Sequence, residues 1–326
     1  MEQFKSKKDE RLDKIVSEFL AISRNQIQPL IKDGNIVVNK KRVDKPSFKV
    51  FAGDEIEISF PPKKELDIKK ALSEFDFDVE VVYEDEDLLV INKPSGLTVH
   101  PAPSVKEPTL VDWLKDKNYL LSTINGELRA GIVHRLDKGT SGALLIAKNN
   151  KTHEILAKQL LDRTMGRYYI AAINLALKEN LIVERPIGRN PKNRLKNSVL
   201  QGAREAKTAF CSLYDDEGLH LIAAKLFSGR THQIRVHLES ISRAIVGDNL
   251  YGFKSGSDKI TRIMLHAYIL YFIHPKSGKK IEVVADLKQD FKEYINSKNR
   301  SEIYGQINPS IVINSFNNLS SWLHLK

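Results

Sequence analysis

The chain is short of cysteine, of long apolar runs and of glycine-rich nucleotide motifs, and each shortage removes a class of function. Cys211 is the single cysteine, so no internal disulfide and no cysteine-based zinc site can form. Its expected place is inside a strand. A zinc-dependent base deaminase, which needs a Cys/His metal site, is excluded on the same ground. No apolar run approaches the roughly 18 residues of a membrane span, and Met1-Glu-Gln-Phe-Lys-Ser-Lys-Lys8 has none of the apolar core of a signal peptide. A soluble, cytoplasmic, monomeric protein without a membrane partner is expected. Gly-x-Gly-x-x-Gly, P-loop and zinc-ligand patterns are missing, so neither cofactor nor metal is expected. Internal repeats and low-complexity tracts are missing too.

What is present begins with 326 residues, 41% hydrophobic, enough for one large domain and a small one. The net charge of +10 and pI near 9.4 favour a polyanionic partner, and the distribution of charge says more than its sum. Glu65 to Val90 holds ten acidic residues and two lysines, whereas Arg185 to Lys207 holds seven Lys/Arg and one acid, Glu205. Clustered cations on one segment are what a phosphate-contacting surface requires.

Residues 9–60 read as a small unit. Leu12, Ile15, Val16, Phe19 and Leu20 have the spacing of an amphipathic helix. Ser23 could cap a second helix carrying Ile27, Leu30 and Ile31, with Gly34 as its stop. Pro29 inside that helix should kink or shorten it. Short strand-like runs follow at Ile36–Asn39, Phe48–Val50 and, past the turn Gly53-Asp54, Glu55–Ile58. The order Arg11-Leu-Asp13, Ser23-Arg24, Leu30-Ile-Lys-Asp-Gly34, Val38-Asn39, Gly53-Asp-Glu-Ile56 resembles the S4-type RNA-binding domain. That resemblance implies RNA contact through Ser23, Arg24, Lys32, Lys40, Lys41 and Arg42.

A linker over 61–78 starts at Pro61-Pro62, which cannot continue a strand ladder. The larger domain spans 79–295. Strands are expected at Val79–Tyr83, Leu88–Ile91, Tyr168–Ala172, Thr208–Leu213, Leu219–Leu226 and Lys280–Val284, with helices over Val111–Leu121 and Thr152–Leu161. Many strands and few helices indicate an α+β class with a mixed, largely antiparallel sheet. Residues 296–326 form a polar extension without a readable place.

The densest motif is Gly131-Ile-Val-His-Arg-Leu-Asp-Lys-Gly-Thr-Ser-Gly142, followed by the apolar run Ala143–Ala147. Turn residues between two strand-like runs fix Asp137 in a crowded spot. Taken alone, Asp-Lys-Gly reads as an Asx turn closing a hairpin. Two further segments change its weight. Asn92-Lys-Pro-Ser-Gly-Leu-Thr-Val-His-Pro101 is a Pro-bounded loop of the kind that shapes a site. Gly229-Arg-Thr-His-Gln-Ile-Arg-Val-His237 carries two arginines and two histidines, on a strand or on a helix starting at Thr231.

Together these segments resemble the RluA family of RNA pseudouridine synthases, from about Val79 to Phe291, with the S4-type domain ahead as the family commonly has it. The resemblance implies a pseudouridine synthase fold and isomerisation of uridine in RNA, with the N1–C1′ bond broken, the base turned and rejoined through C5. It assigns Asp137 as the essential carboxylate. Desolvation in a flipped-base pocket disfavours a charged carboxylate, and the resemblance names Arg230 as the cation that holds it ionised. It also implies Tyr169 packing on the base, His134 and Arg135 beside the flipped nucleotide, and Leu265 and His266 lining the uracil pocket. Attack at C1′, attack at C6 and assistance of glycal formation all remain open.

The stretch Pro186 to Lys196, with Arg189, Arg194 and Lys196, resembles the branch of the family that modifies large-subunit ribosomal RNA, although Asn190 and Asn197 stand where that branch commonly has His and Met. The implied partner is 23S rRNA or the large-subunit precursor, with the loop of helix 69 as the favoured site and tRNA or another ribosomal site as the alternatives. A non-catalytic RNA-binding or ribosome-assembly protein is the competing class, disfavoured by intact Asp137, Tyr169 and Arg230. A glycoside hydrolase would need a second positioned carboxylate, and Asp112 and Asp162 have no supporting motif.

Overall fold

A computed structural model describes residues 2–20, 24–59, 78–102, 105–254, 260 and 262–326. The expected cap Ser23 and most of the expected linker lie outside these residues. The chain divides into two compact units, Met1–Asp67 and Ile68–Lys326. No helix among the described residues is long and apolar enough to cross a membrane.

In the first unit, strand β1 (Glu2–Lys5) precedes β2 (Glu10–Arg11), helix α1 (Leu12–Leu20), α2 (Arg24–Lys32), β3 (Ile36–Val38), β4 (Lys41–Arg42), β5 (Lys49–Val50) and β6 (Glu55–Ile58). The apolar stripe of α1 buries Leu12, Ile15 and Val16 against Ile27 and Ile31 of α2 and against Ile36, Ile56 and Ile58. That burial holds α2 intact through Pro29, where shortening was expected. Gly34 ends the helix with φ +70°, a conformation that costs glycine little. The sheet runs β1-β6-β3-β4, so the basic β3–β4 turn projects Lys40, Lys41 and Arg42 into solvent.

The second unit contains β7 (Glu80–Glu84), β8 (Leu88–Lys93), α3 (Leu110–Asp116), β9 (Ser141–Ala147), α4 (Asn150–Asp162), β10 (Gly166–Ile173), β11 (Leu181–Glu184), β12 (Ile187–Arg189) and β13 (Asn197–Val199). It continues through β14 (Lys207–Asp216), β15 (Leu219–Leu226), α5 (Gln233–Glu239), β16 (Leu265–Ile273), β17 (Lys280–Val284), α6 (Gln289–Asn296), α7 (Pro309–Asn314) and β18 (Leu323–Leu325). One sheet runs β18-β11-β14-β15-β10-β16-β9-β8-β7, with β17 also beside β16. The β16–β9 and β11–β18 pairs are parallel and the others antiparallel. This is the α+β arrangement with a mixed, largely antiparallel sheet that the strand count indicated.

Central strands are buried on both faces, which is why they read as continuous apolar runs. Leu89, Ile91, Leu144 and Ile146 face a core completed by α3, α5 and α6, while Leu88, Val90, Ala143 and Leu145 face Leu156 of α4. The helix expected over Val111–Leu121 is shorter and ends at Asp116. Its Asp112, considered above as a second carboxylate, closes the capping box with Thr109. Residues 296–326 have a place after all: Ile303, Ile307, Val312 and Phe316 enter the main core, and β18 adds an edge strand beside β11. Cys211 is buried in β14.

Candidate active site

Asp137 sits at the start of a tight turn, but the turn is closed by backbone rather than by its side chain. Thr140 N–H donates to the Asp137 carbonyl at 3.0 Å. The carboxylate is thereby left to other partners. The Asn92–Pro101 loop grips the same turn: Gly96 N–H donates to the Lys138 carbonyl at 2.8 Å, and Ser95 Oγ donates to the Gly139 carbonyl at 2.9 Å. Lys93, fully buried, donates to the carbonyls of Pro94 and Leu97 at 2.8 Å and of Lys138 at 3.3 Å. Burial pushes its ammonium down to about 7, against the pull of Asp137.

The Gly229–His237 motif resolves as a turn leading into helix α5, not as a strand. His232 takes a left-handed conformation, φ +61°, and reverses the chain just ahead of Gln233. Gln233 locks the turn by accepting from Ser228 Oγ and Arg230 N–H and donating to the Lys207 carbonyl and Thr208 Oγ1. The geometry that follows corrects the expected ion pair. Arg230 Nε donates to the Glu205 carbonyl at 2.9 Å, which draws that side chain off Asp137. The cation at Asp137 is Arg235, whose Nη1 lies 3.2 Å from Oδ2.

Arg235 is shared by two carboxylates. Asp248 takes the fork, Nε to Oδ2 at 2.7 Å and Nη2 to Oδ1 at 2.9 Å, and the guanidinium lies 4.7 Å from the centre of the Tyr251 ring. Such a fork fixes the plane and direction of a guanidinium, so Nη1 is aimed at Asp137 by contacts on its far side. His232 Nε2 stands 3.8 Å from the same Asp137 oxygen. Tyr251 hydroxyl accepts from Asn197 N–H at 2.8 Å and meets His232 Nδ1 at 2.8 Å. A Tyr251 hydroxyl that donates to Nδ1 would set the neutral imidazole with Nε2–H toward Asp137. Burial lowers the His232 pKa, in opposition to Asp137.

Asp137, His232 and Arg235 line a cavity of about 80 Å³ with Leu136, Arg167, Tyr169, Arg230 and Leu265, room for roughly half a dozen waters and so for one planar pyrimidine ring. Tyr169 is buried, and that burial pushes its hydroxyl pKa up. Its neighbour Tyr168 points to the other sheet face, against Tyr271 and Phe316. Leu265 lines the cavity as expected, but His266 does not. Alternation along β16 turns it into the core, where it bonds Ser141 Oγ at 2.8 Å and the Ala285 carbonyl at 2.9 Å. His134 is buried as well, with Nε2 accepting from Leu145 N–H at 3.2 Å, while Arg135 is exposed at the cavity mouth.

The basic segment forms the β12–β13 hairpin. Arg189 and Arg194 are exposed on it, whereas Lys196 is held by Glu239 at 2.9 Å and over the Tyr251 ring. Together with His100, Arg135 and Lys138 they line a groove that opens onto Asp137. In the first unit Lys32, Lys40 and Arg42 are exposed, and Arg24 is paired with buried Asp13 at 2.7 Å. Among the described residues one group has metal-ligand proximity: Asp85, Asp87 and His274. Their atoms are already engaged, since Asp85 accepts from Tyr83, His274 and the N–H groups of Asp87 and Leu88. None of the three lines the cavity.

Asp248 and Tyr251 were not singled out in the sequence. The available signal was Gly247-Asp-Asn-Leu-Tyr-Gly252, an acid and an aromatic between two turn glycines, which carries little weight until Arg235 is known to lie against it.

The chain is similar to known proteins in both sequence and fold. The pattern of the RNA pseudouridylate synthase family matches residues 87–240, and that of the S4 domain matches residues 10–56. A Helicobacter pylori protein named an uncharacterized RNA pseudouridine synthase is 50% identical over 87% of this chain and 89% of its own length. The ribosomal large subunit pseudouridine synthase D of Xylella fastidiosa is 34% identical over 86% of each chain. Among solved structures, human RNA pseudouridylate synthase domain containing 1 shares the fold, with a TM-score of 0.52 and 24% identity over 69% of this chain and 96% of its own.

Proposed function

The chain belongs to the RNA pseudouridine synthase family, and on that premise we propose that Asp137 is its catalytic carboxylate, acting on a uridine flipped into the cavity beside Tyr169. We infer further that the RNA is 23S ribosomal RNA, with the loop of helix 69 as the favoured site. The observation that carries the first reading is the Asp137–Arg235 pair at the floor of a cavity the size of one base.

The reaction breaks N1–C1′, turns the base and forms C5–C1′, and the C5 hydrogen leaves as a proton. N1 takes up a proton in its place, so the product is an isomer of uridine and no electron changes hands. What the reaction needs is an anionic oxygen at the sugar or base and a surface that holds the detached uracil. Arg235 supplies a counter-charge 3.2 Å from the Asp137 carboxylate as the arriving base displaces water. Asp137 Oδ1 takes no protein hydrogen bond among the described residues, so it is free to attack C1′ or C6, or to assist glycal formation. Tyr169, with its hydroxyl pKa raised, keeps its proton at neutral pH and offers a ring face and a hydrogen-bond donor. Arg135, exposed at the cavity mouth, is placed to fill the stack the uridine vacates.

Two features support the ribosomal target: the arginines of the β12–β13 hairpin beside the cavity and the likeness to a large-subunit synthase. We infer that the protein acts as a monomer, in the cytoplasm where ribosomal RNA is found. Tritium release from 23S rRNA labelled at uridine C5 tests the chemistry. Asp137→Asn is expected to lower the rate by roughly three orders of magnitude or more, and an active Asp137→Asn enzyme would overturn the assignment. Mapping pseudouridines in total RNA from cells with and without the gene tests the target. Loss confined to tRNA would sink the ribosomal reading.

A further inference from the structure

A second groove of about 480 Å³ adjoins the cavity on the side away from the β12–β13 hairpin, sharing only Arg135 with the hairpin groove. Its lining includes Arg135, Arg163, Arg167, Lys225 and Arg230 and no carboxylate. Arg135, Arg163, Arg167 and Lys225 make no ion pair among the described residues. Convergent, unpaired cations repel one another, and partial burial strengthens that repulsion. Lys225 is half-buried, and burial first and nearby Lys280 second lower its ammonium pKa. Arg167 Nε is buried without a hydrogen-bond partner. A bound anion would relieve both.

An aromatic surface lies in the same groove. Phe227 is half-buried, with the Lys225 ammonium 5.5 Å from its ring centre and Lys207, which is paired with Glu184 outside the groove, at 5.8 Å. Cations beside an aromatic face are the elements of a site for single-stranded nucleic acid, in which phosphates meet the charges and a base stacks on the ring. Continuity with the catalytic cavity fixes which nucleotide is within reach, because Arg135, Arg167 and Arg230 line both.

We propose that this groove binds the nucleotide next to the target uridine, its phosphate on Arg163, Arg167 and Lys225 and its base against Phe227. The proposal rests on RNA being the substrate, and it makes the strand cross the catalytic cavity from the hairpin groove to this one. Binding of full-length 23S rRNA transcript and of bulk tRNA is measured against salt for wild type, Arg163→Gln, Lys225→Gln and Phe227→Leu. Each charge removed is expected to flatten the log–log salt slope by about 0.7–0.9, and Phe227→Leu to weaken binding roughly tenfold at unchanged slope. Ultraviolet crosslinking of the wild-type complex is expected to attach a nucleotide to the peptide containing Phe227. Wild-type slopes and affinities in all three variants would overturn the proposal. Arg163 is fully exposed, so its variant reads the groove even where the others unfold. Tritium release by wild type and by Asp137→Asn is followed in parallel. Active wild type with groove variants that bind normally removes this proposal alone, whereas an inactive wild type removes the catalytic reading while the slopes still report on the groove.

Discussion

Asp137 and Arg235 meet although 98 residues separate them in the chain, and the choice between Arg230 and Arg235 turns on one backbone angle. With His232 left-handed, Arg230 falls before the reversal and Arg235 after it. Both arginines belong to the same short motif, so nothing local in the sequence ranks them. A lysine at 235 could not hold the Asp248 fork and reach Asp137 together. Single-turnover rates are therefore expected to fall roughly 10²-fold in Arg235→Lys and less than about tenfold in Arg230→Lys, which keeps the groove's charge. The opposite order would restore Arg230 as the partner. His266 carries the same lesson in reverse. Its neighbour Leu265 reaches the cavity, and strand alternation sends His266 to the core.

At the scale of elements, the site is held where β9 runs parallel to β16, with Gly142 opposite Ala267. Gly142 has φ +111°, and a Cβ there would collide with the Ala267 backbone. Backbone cannot step aside as a side chain does, so this glycine marks close strand approach and not a loose turn. Gly142→Ala is expected to destabilise the second unit by about 3 kcal/mol or more, strain and overpacking together, as read from urea unfolding. Gly96→Ala, with φ +87° and open space around it, should cost only about 1 kcal/mol. Equal losses would refute the close-approach explanation. Strand β16 itself escaped the sequence reading because Leu265–Ile273 lacks alternation, although Pro275-Lys-Ser-Gly278 marks its end, and its three partners make its role evident.

Across the whole molecule, the histidines divide the chain unequally: the first is His100, so the first unit has none. Burial holds the folded-state pKa of His266 near 3 and that of His237 near 4, against an ordinary value of 6.5. Both stay neutral when folded and take up protons when unfolded, so their contribution is complete above about pH 6.5 and is lost as pH falls below it. Going from pH 7 to pH 5 should cost the second unit on the order of 2 kcal/mol for each. Unfolding followed by hydrogen exchange at the two pH values reads the units separately, and an equal loss in both would contradict the prediction.

By itself the sequence determined the family and the α+β class and singled out Asp137, because those rest on local order: apolar period, turn glycines and contiguous motifs. It also singled out Tyr169 and Leu265, through the likeness of the motifs around them to the family. The tertiary structure alone decided that Arg235 is the cation at Asp137, that Asp248 and Tyr251 aim it, and that His266 belongs to the core. It also built residues 296–326 into that core and gathered the five cations of the second groove. Each of those outcomes depends on side chains converging from distant segments, and their distances are set by sheet register and by the direction of chain reversal, which no local pattern encodes.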